Sequence, residues 1–360
     1  MKKTILLLVA ILLGSAKLMA EGLVATLQQG ETMTAFYGVN AFVDAYNAAE
    51  DGAVITLSEG KFNYVENIEK SITLIGNMAF DVEGYEKTYL GTAKIKANSV
   101  KLEGIYFSGT LYLGNVSDCH IKRCRVEELS SVNNTIHTNT LVDQCVVNLV
   151  YAMETSKNFG IKNSTIFSFY GLNSDTNIAY ITNCFIWQYY YISYYSNSTR
   201  QPYAVYKNNV LGLYIDTYVK DSTVQLDFWS PSEYYNNYFY STAGSSYTNL
   251  ICAGFYADCI NRGNKNSTSY TRRGDVSTNS FITDSFGMLG DDGTPVGITG
   301  GSGFSPYPSI PRVTSKQIDS RTDSQGKLNV KITVSTEETL VKEKTDTPET
   351  GETTEETTTR

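Results

Sequence analysis

A six-residue phrase that returns along the chain is the feature that most limits its fold. The phrase has an apolar residue first, two mostly polar residues, a small or turn-forming residue fourth, and then a β-branched or apolar pair. Its copies are Leu102–Phe107, Ile121–Val126, Val142–Val147, Ile161–Ile166, Ile181–Ile186, Tyr206–Leu211 and Tyr234–Phe239. Their fourth positions are 19, 21, 19, 20, 25 and 28 residues apart. Such a period is typical of stacked solenoid rungs.

The first 20 residues have the pattern of a secretory signal peptide. Lys2 and Lys3 precede an apolar run from Ile5 to Leu13, and Ala20 offers a cleavage site before Glu21. The run is too short to span a bilayer. We expect a chain that is exported, and that is secreted, periplasmic or at the cell surface, with no transmembrane segment after cleavage.

The charge of the chain argues against nucleic acid as a partner. The formal charge is −8, and it becomes −11 when the three lysines of the signal peptide are removed. Nucleic-acid-binding domains carry a basic footprint instead.

The six cysteines are few for a disulfide scaffold of this length. Cys124 and Cys145 occupy equivalent places in successive rungs, at a spacing that a disulfide tolerates. The interpretation we favour is that these are small buried thiols at an inward turn, alternating there with Ser164, Asn209 and Asn237. A zinc site at Cys119, His120 and Cys124 is disfavoured, because these side chains diverge around a strand.

The start of the chain carries a family resemblance. Residues 39–49 place Phe42, Ala45, Tyr46 and Ala49 on one helical face, and the sequences DGAVITLSEGKF and SITLIG follow. This order resembles the opening of right-handed parallel β-helix proteins of the pectin-lyase-like superfamily, and the resemblance covers residues 34–240. It implies an all-β solenoid with an N-terminal capping helix. One fold hosts unrelated activities, so the resemblance does not imply one function.

Alternation along each strand predicts which residues face outward. The first and last apolar residues of the phrase should point into the core, and the next residue should point out. This places Glu127, Asn148, Phe167 and Trp187 in one external row. The Asn and Ser residues at the bend are expected to be structural.

The repeat loosens after Ser222, and four further segments are expected. Residues 261–275 are predicted to be a loop, and the Gly- and Pro-rich stretches 291–301 and 306–311 are predicted to stop the coil. Residues 328–334 alternate strictly and predict a strand that docks on the last rung. We divide the chain into a signal peptide (1–20), a β-helix domain (21–311), a C-terminal strand or hairpin (312–334) and a disordered Thr/Glu-rich tail (335–360).

Tyrosine is the strongest compositional signal. The chain has 27 tyrosines, and 16 of them lie between Tyr180 and Tyr256. Exposed rings of this kind suit stacking on sugars, whereas the alternative interpretation places many of them in the core or on strand surfaces. The candidate glycan-binding residues are Trp187, Tyr189, Tyr191, Tyr194, Tyr195, Tyr214, Tyr218, Trp229 and Tyr235.

Catalytic signals are weaker than the aromatic signal. The resemblance implies two enzyme classes, polysaccharide lyases and glycoside hydrolases, but the G-H-G motif of the hydrolases is absent. Candidates for a lyase site are scattered: Asp216, Lys220, Asp221, Asp227, Glu233, Arg272 and Arg273. No sequence resembles a calcium cage, so calcium enters only with the lyase alternative, and no cofactor is otherwise expected.

Taken together, these patterns favour a protein that binds glycans or another surface partner, including a surface protein, without catalysis. A polysaccharide lyase or glycoside hydrolase is the alternative, and a structural spacer or adhesin is a further one. The catalytic residues of an enzyme would be unknown.

Overall fold

The structure is a computed structural model. It describes residues 22–82, 84–132, 135–151, 156–169, 179–192, 204–215, 227–228, 232–241, 254–255, 260–263, 265–267, 289–309, 312–318 and 330–335. Residues 22–308 form one compact unit, and the strands after residue 309 belong to another.

The compact unit is a solenoid-like stack of mostly parallel strands in two long sheets. Sheet A contains β1 (Val24–Gln29), β2 (Thr32–Tyr37), β3 (Val54–Leu57), β6 (Thr73–Ile75), β9 (Lys101–Glu103), β11 (His120–Lys122), β13 (Leu141–Asp143), β15 (Gly160–Lys162), β17 (Ala179–Thr182), β19 (Ala204–Lys207), β22 (Glu233–Tyr235) and β25 (Ile260–Arg262). Sheet B contains β4 (Gly60–Lys61), β5 (Asn67–Ile68), β7 (Thr88–Leu90), β8 (Ala93–Ile95), β10 (Tyr106–Leu113), β12 (Arg125–Ser131), β14 (Val146–Tyr151), β16 (Thr165–Phe169), β18 (Phe185–Ile192), β20 (Val210–Ile215), β23 (Tyr238–Ser241) and β26 (Lys265–Ser267). A short parallel pair, β21 (Asp227–Phe228) and β24 (Gly254–Phe255), lies apart from both sheets.

The repeated phrase is the corner where each rung passes from sheet A to sheet B. The residue before each fourth position has a positive φ, as in Asn163 (45°) and Asn183 (54°). The fourth positions themselves are all fully buried: Ile105, Cys124, Cys145, Ser164, Cys184, Asn209 and Asn237. The prediction of an inward stack at this place is therefore confirmed.

The cysteines of this stack are free thiols. Cys124 and Cys145 are neighbours without a disulfide, and the backbone N–H of Cys124 donates to Cys145 Sγ at 3.4 Å. Burial raises the pKa of the Cys124 and Cys184 thiols to about 12, so both remain protonated and unreactive. The interpretation as buried thiols is confirmed for these residues.

A helix and a hairpin cover the N-terminal end of the stack. Helix α1 (Ala41–Ala48) buries Ala41, Phe42, Ala45 and Tyr46, as the apolar spacing predicts. The β1–β2 hairpin is antiparallel, and it joins sheet A through an antiparallel pairing of β1 with β3. One continuous apolar core then extends from Ala25 to Tyr234.

The predicted end of the coil is wrong for residues 289–308, which we call the return segment. Instead of closing the last rung, this segment runs back along the outside of the corner row. Asn236 Nδ2 donates to Asp292 Oδ1 at 2.9 Å, Asn163 Nδ2 to the Gly300 carbonyl at 2.6 Å, and Gln144 Nε2 to the Gly303 carbonyl at 2.8 Å. The polar corner side chains are thus buried against the return segment and donate to two of its carbonyls and to the Asp292 carboxylate.

Glycine is required where the return segment lies closest to the corner row. Gly301 has a φ of +60°, and a Cβ there would come within 2.2 Å of Asn183 Nδ2. The Gly-rich composition reflects this close approach rather than a chain terminus. The segment also contains a short 3₁₀ turn at Gly297–Thr299.

Two other predictions concern the later part of the chain. Within residues 261–275, predicted to be a loop, the structure places strands β25 and β26, which continue both sheets, because the parallel pairing extends beyond the recognisable phrase. The predicted strand at 328–334 is confirmed as β28 (Val330–Ser335), which pairs antiparallel with β27 (Arg312–Ile318). Its docking on the last rung stays a prediction.

Candidate functional site

The structure describes five of the nine predicted glycan-binding residues, and it aligns Tyr191 with Tyr214 in neighbouring strands. Tyr189 and Tyr191 lie in β18, and Tyr214 lies in β20. Tyr235 in β22 is half-buried, and its hydroxyl donates to Glu233 Oε2 at 2.7 Å. Among the others, Tyr194, Tyr195, Tyr218 and Trp229 lie outside the described residues, together with the lyase candidates Asp216, Lys220, Asp221, Arg272 and Arg273. Asp227 lies in β21.

Trp187 occupies the predicted external row, but it is covered. Its side chain is only 6% exposed because Val296 and Ile298 of the return segment pack over it. Phe167, one rung earlier, stacks on it with the ring centroids 6.3 Å apart. In this arrangement the indole ring is not available to stack on a sugar, because Phe167 lies against it and the return segment covers it.

An open groove of about 460 Å³ lies on the outer surface of the second half of the long sheet B strands. It is lined by Lys94, Tyr112, Glu128, Ser130, Ser131, Val132 and Tyr151. We call it the Tyr112–Tyr151 groove. The tyrosines, a lysine and a carboxylate thus meet on one concave surface, which is where small-ligand sites usually occur.

Strand register explains why these side chains meet. Lys94 aligns with Tyr112, Tyr112 with Ser130, and Ser130 with Tyr151. The two tyrosines are therefore two rungs apart in one row, with the small Ser130 between them. Two strand spacings place the two tyrosine positions about 9.6 Å apart. A flat ring that contacts a side chain on each face needs about 7–8 Å, so the spacing is wide enough for one ring.

Tyr151 is the exposed residue of the groove lining, and Tyr112 is half-buried. Tyr151 is 51% exposed, whereas Ser130 is only 3% exposed and forms the floor. Lys94 Nζ lies 5.9 Å from the centroid of the Tyr112 ring. The groove therefore brings together two tyrosines, one cation and one carboxylate, which suits the mixed apolar and hydroxyl surface of a sugar.

A second polar cluster on sheet B is centred on the Glu127 carboxylate. Tyr106 donates from its hydroxyl to Glu127, Asn148 Nδ2 donates to the same carboxylate, and Arg125 lies 4.8 Å over the Tyr106 ring. Burial, and then the hydrogen bond to Glu127, raises the pKa of Tyr106 to about 12. Tyr106 therefore stays a hydrogen-bond donor and does not serve as a base, so we assign this cluster a structural role.

Behind the groove, a histidine is held in the core. His137 is fully buried, its Nε2 lies 3.0 Å from the Oγ of Ser131, and its ring contacts Phe159 edge-on. Burial lowers the pKa of His137 from 6.5 to about 4. The imidazole is therefore neutral at physiological pH and supports the wall of the groove at Ser131.

Acidification is expected to destabilise the fold through His137. The unfolded chain takes up a proton near pH 6.5, whereas the folded chain does so only near pH 4. The contribution of His137 to the free energy of unfolding is therefore fully present above pH 6.5. It is lost as the pH falls towards 4, by up to about 3 kcal/mol. Urea unfolding at a series of pH values measures this loss. A His137→Gln variant should show a flatter profile between those pH values, and an equal slope in both proteins would contradict the assignment.

Sequence reasoning did not find the groove residues. Glu127 and Glu128 both lie on the outer side of β12, between the buried Val126 and Leu129. A register shift interrupts the alternation at the same place in the pairing of β10 with β12. The period-2 rule therefore cannot be carried through this irregularity of the strands, although the alternation of Leu111, Tyr112 and Leu113 is a local signal.

The part of the chain that the structure describes contains no helix long and apolar enough to cross a membrane. No protein-family model, no curated protein and no solved structure was found to match this chain.

Proposed function

We propose that the chain is an exported right-handed parallel β-helix of the pectin-lyase-like kind that binds glycans at the cell surface without catalysis. The observation that carries the proposal is the Tyr112–Tyr151 groove, where two tyrosines of one outward row flank a small floor residue. Parallel strands that alternate between two sheets, and the signal-like first 20 residues, support the fold and the export.

The lining of the groove favours binding over hydrolysis. Glycoside hydrolysis ordinarily uses two carboxylates that flank the bond to be cleaved. Among the residues that line the groove, Glu128 supplies one carboxylate, and its neighbours are Lys94, tyrosines and serines. A sugar that stacks on the tyrosines accepts a hydrogen bond from Lys94 and donates one to Glu128. These contacts orient the sugar and do not require a second carboxylate.

The groove residues Tyr112 and Tyr151 are expected to carry the affinity. Each aromatic contact contributes about 1 kcal/mol beyond the area it buries, so removing both by alanine should weaken glycan binding roughly 30-fold. The measurement is retention of the chain from Glu21 to Arg360 on a panel of neutral and acidic polysaccharides. New reducing or unsaturated ends are recorded in the same samples, with and without calcium.

Tyr37→Ala is the matched control, because Tyr37 is 68% exposed but lies at the N-terminal hairpin. It should bind as the wild type does. Product formation would contradict the non-catalytic function and favour a lyase or hydrolase. Absence of retention on every polysaccharide would favour the structural spacer instead.

A further inference from the structure

The N-terminal edge of sheet A is an open strand. The sheet runs from β2 through β1 to β3 and the later rungs, so β2 is its last strand on this side. Among the described residues, no strand pairs with the outer edge of β2. The edge of a sheet presents a row of unpaired N–H and C=O groups, which is a template for pairing with another strand.

The hydrogen bonds of β2 show which of its backbone groups point outward. Just past the strand, the N–H of Gly38 donates to the Leu23 carbonyl at 2.8 Å, and the register with β1 is continuous along the whole of β2. Bonded and non-bonded pairs alternate in an antiparallel ladder, so the even-numbered residues of β2 bond to β1. The N–H and C=O groups of the odd-numbered residues therefore point away from the sheet. These residues are Met33, Ala35 and Tyr37.

The sequence of β2 lacks the features that usually protect an edge strand. Charged residues, prolines and bulges are the common ones. Residues 32–43 contain no charged residue and no proline, on a chain in which 18% of residues are charged, and the unbroken register leaves no bulge. All six residues of the strand are half-buried or exposed. The strand is therefore free to pair.

Apolar surface lies beside this edge. Val39, two residues after the end of β2, is 50% exposed, and Tyr64 is 43% exposed. The N–H of Asn63 donates to the Val39 carbonyl at 2.9 Å, which brings both side chains to the same end of the stack. Exposed apolar residues that cluster in this way are typical of a protein–protein interface.

A second copy of β2 fits the edge. In an antiparallel pairing with Ala35 opposite Ala35 of the partner subunit, Met33 lies opposite the partner's Tyr37. Each outward N–H and C=O group of one strand then meets its complement in the other. Opposed residues lie on the same face, as a twofold axis perpendicular to the sheet requires, and no like charges meet, because the strand carries none.

We propose that the chain forms a twofold dimer in which the two β2 strands pair antiparallel about Ala35. The two copies of sheet A then continue into one another across the interface. The pairing uses the backbone of Tyr37 rather than its ring, so the Tyr37→Ala protein should remain dimeric.

Sedimentation velocity of the chain from Glu21 to Arg360 at micromolar concentrations tests the dimer. We expect the wild type to sediment as a dimer. Ala35→Lys and Ala35→Glu each place two like charges opposite one another and should weaken the dimer at least tenfold. An equimolar mixture of these two variants should recover a dimer with one copy of each, because opposite charges then face each other. Ile136→Lys adds the same charge at a position that is 47% exposed in a later rung, and it should leave the dimer unchanged.

Hydrogen exchange of the wild type is a second measurement that needs no substitution. In the dimer the amides of Met33, Ala35 and Tyr37 are bonded, so they should exchange as slowly as those of Thr34 and Phe36. Fast exchange at the odd-numbered residues, or a monomer at every concentration, would overturn the proposal. So would a dimer that both charged variants leave intact, or a mixture of them that stays monomeric although thermal unfolding shows both to be folded.

Discussion

Replacing Asn209 by leucine is expected to lower the free energy of unfolding by roughly 2–6 kcal/mol. Asn209 is fully buried in the corner stack. Its Oδ1 accepts from the Cys184 backbone N–H at 2.8 Å, and its Nδ2 donates to the Ile181 carbonyl at 2.8 Å and to Asn237 Oδ1 at 3.0 Å. Leucine fills a similar volume but leaves the donor of Cys184 and the acceptor of Ile181 in an apolar interior, where each unpaired group costs about 1–3 kcal/mol.

Asn209→Ser is the matched control, because the chain already uses serine at the equivalent place. Ser164 accepts from the Cys145 backbone N–H at 3.0 Å and donates to the Lys162 carbonyl at 2.7 Å. The serine variant keeps the acceptor for Cys184 and should lose clearly less stability than the leucine variant. The measurement is urea unfolding followed by circular dichroism. A leucine variant as stable as the serine variant would show that the stack does not depend on its hydrogen bonds.

Tyr206→Ala is expected to destabilise the chain by about 3–5 kcal/mol, the range for removing a large buried ring. Tyr206 and Tyr234 are the first residues of successive phrases, and both are fully buried. Their rings are parallel to within 8°, with centroids 4.9 Å apart. Removing the Tyr206 ring opens a cavity in the core and also removes the ring that stacks on Tyr234. The loss in free energy of unfolding therefore exceeds that of the lost buried area alone.

The control for this substitution is Tyr37→Ala at the exposed N-terminal hairpin. A surface substitution of this kind usually changes stability by less than about 0.5 kcal/mol. Urea midpoints of the two variants, compared with the wild type, give the contrast. Equal midpoints would contradict the inward position of Tyr206. A solenoid unfolds by neighbouring repeats, so the change should be largest in probes that report the later rungs.

Several elements were predictable because the information lies in neighbouring residues. Phe42, Ala45 and Tyr46 follow the period of a helix, and they do face the core of the N-terminal cap. The Asn residues before the fourth positions tolerate a positive φ, and they adopt it. The β1–β2 hairpin was not predicted, because its second strand is only partly buried and its alternation is weak.

The candidate site was less predictable than the fold. The rich tyrosine content pointed to residues 187–240, yet Trp187 is covered by Ile298, more than a hundred positions later in the chain. No local pattern announces such a contact, since Gly- and Pro-rich stretches have no periodicity. Tyr112 and Tyr151 were overlooked because their meeting depends on the register of three separate strands.

The sequence by itself therefore determined the repeat, the inward stack of small and polar residues, and the helix that caps the rungs. These follow from local propensity and from the burial of apolar residues at a fixed period. Only the tertiary structure decided which outward side chains remain accessible. The return segment covers one part of the outer surface, and strand register brings Lys94, Tyr112 and Tyr151 together in another. Accessibility depends on contacts between residues far apart in the chain, so it is not encoded in any local pattern.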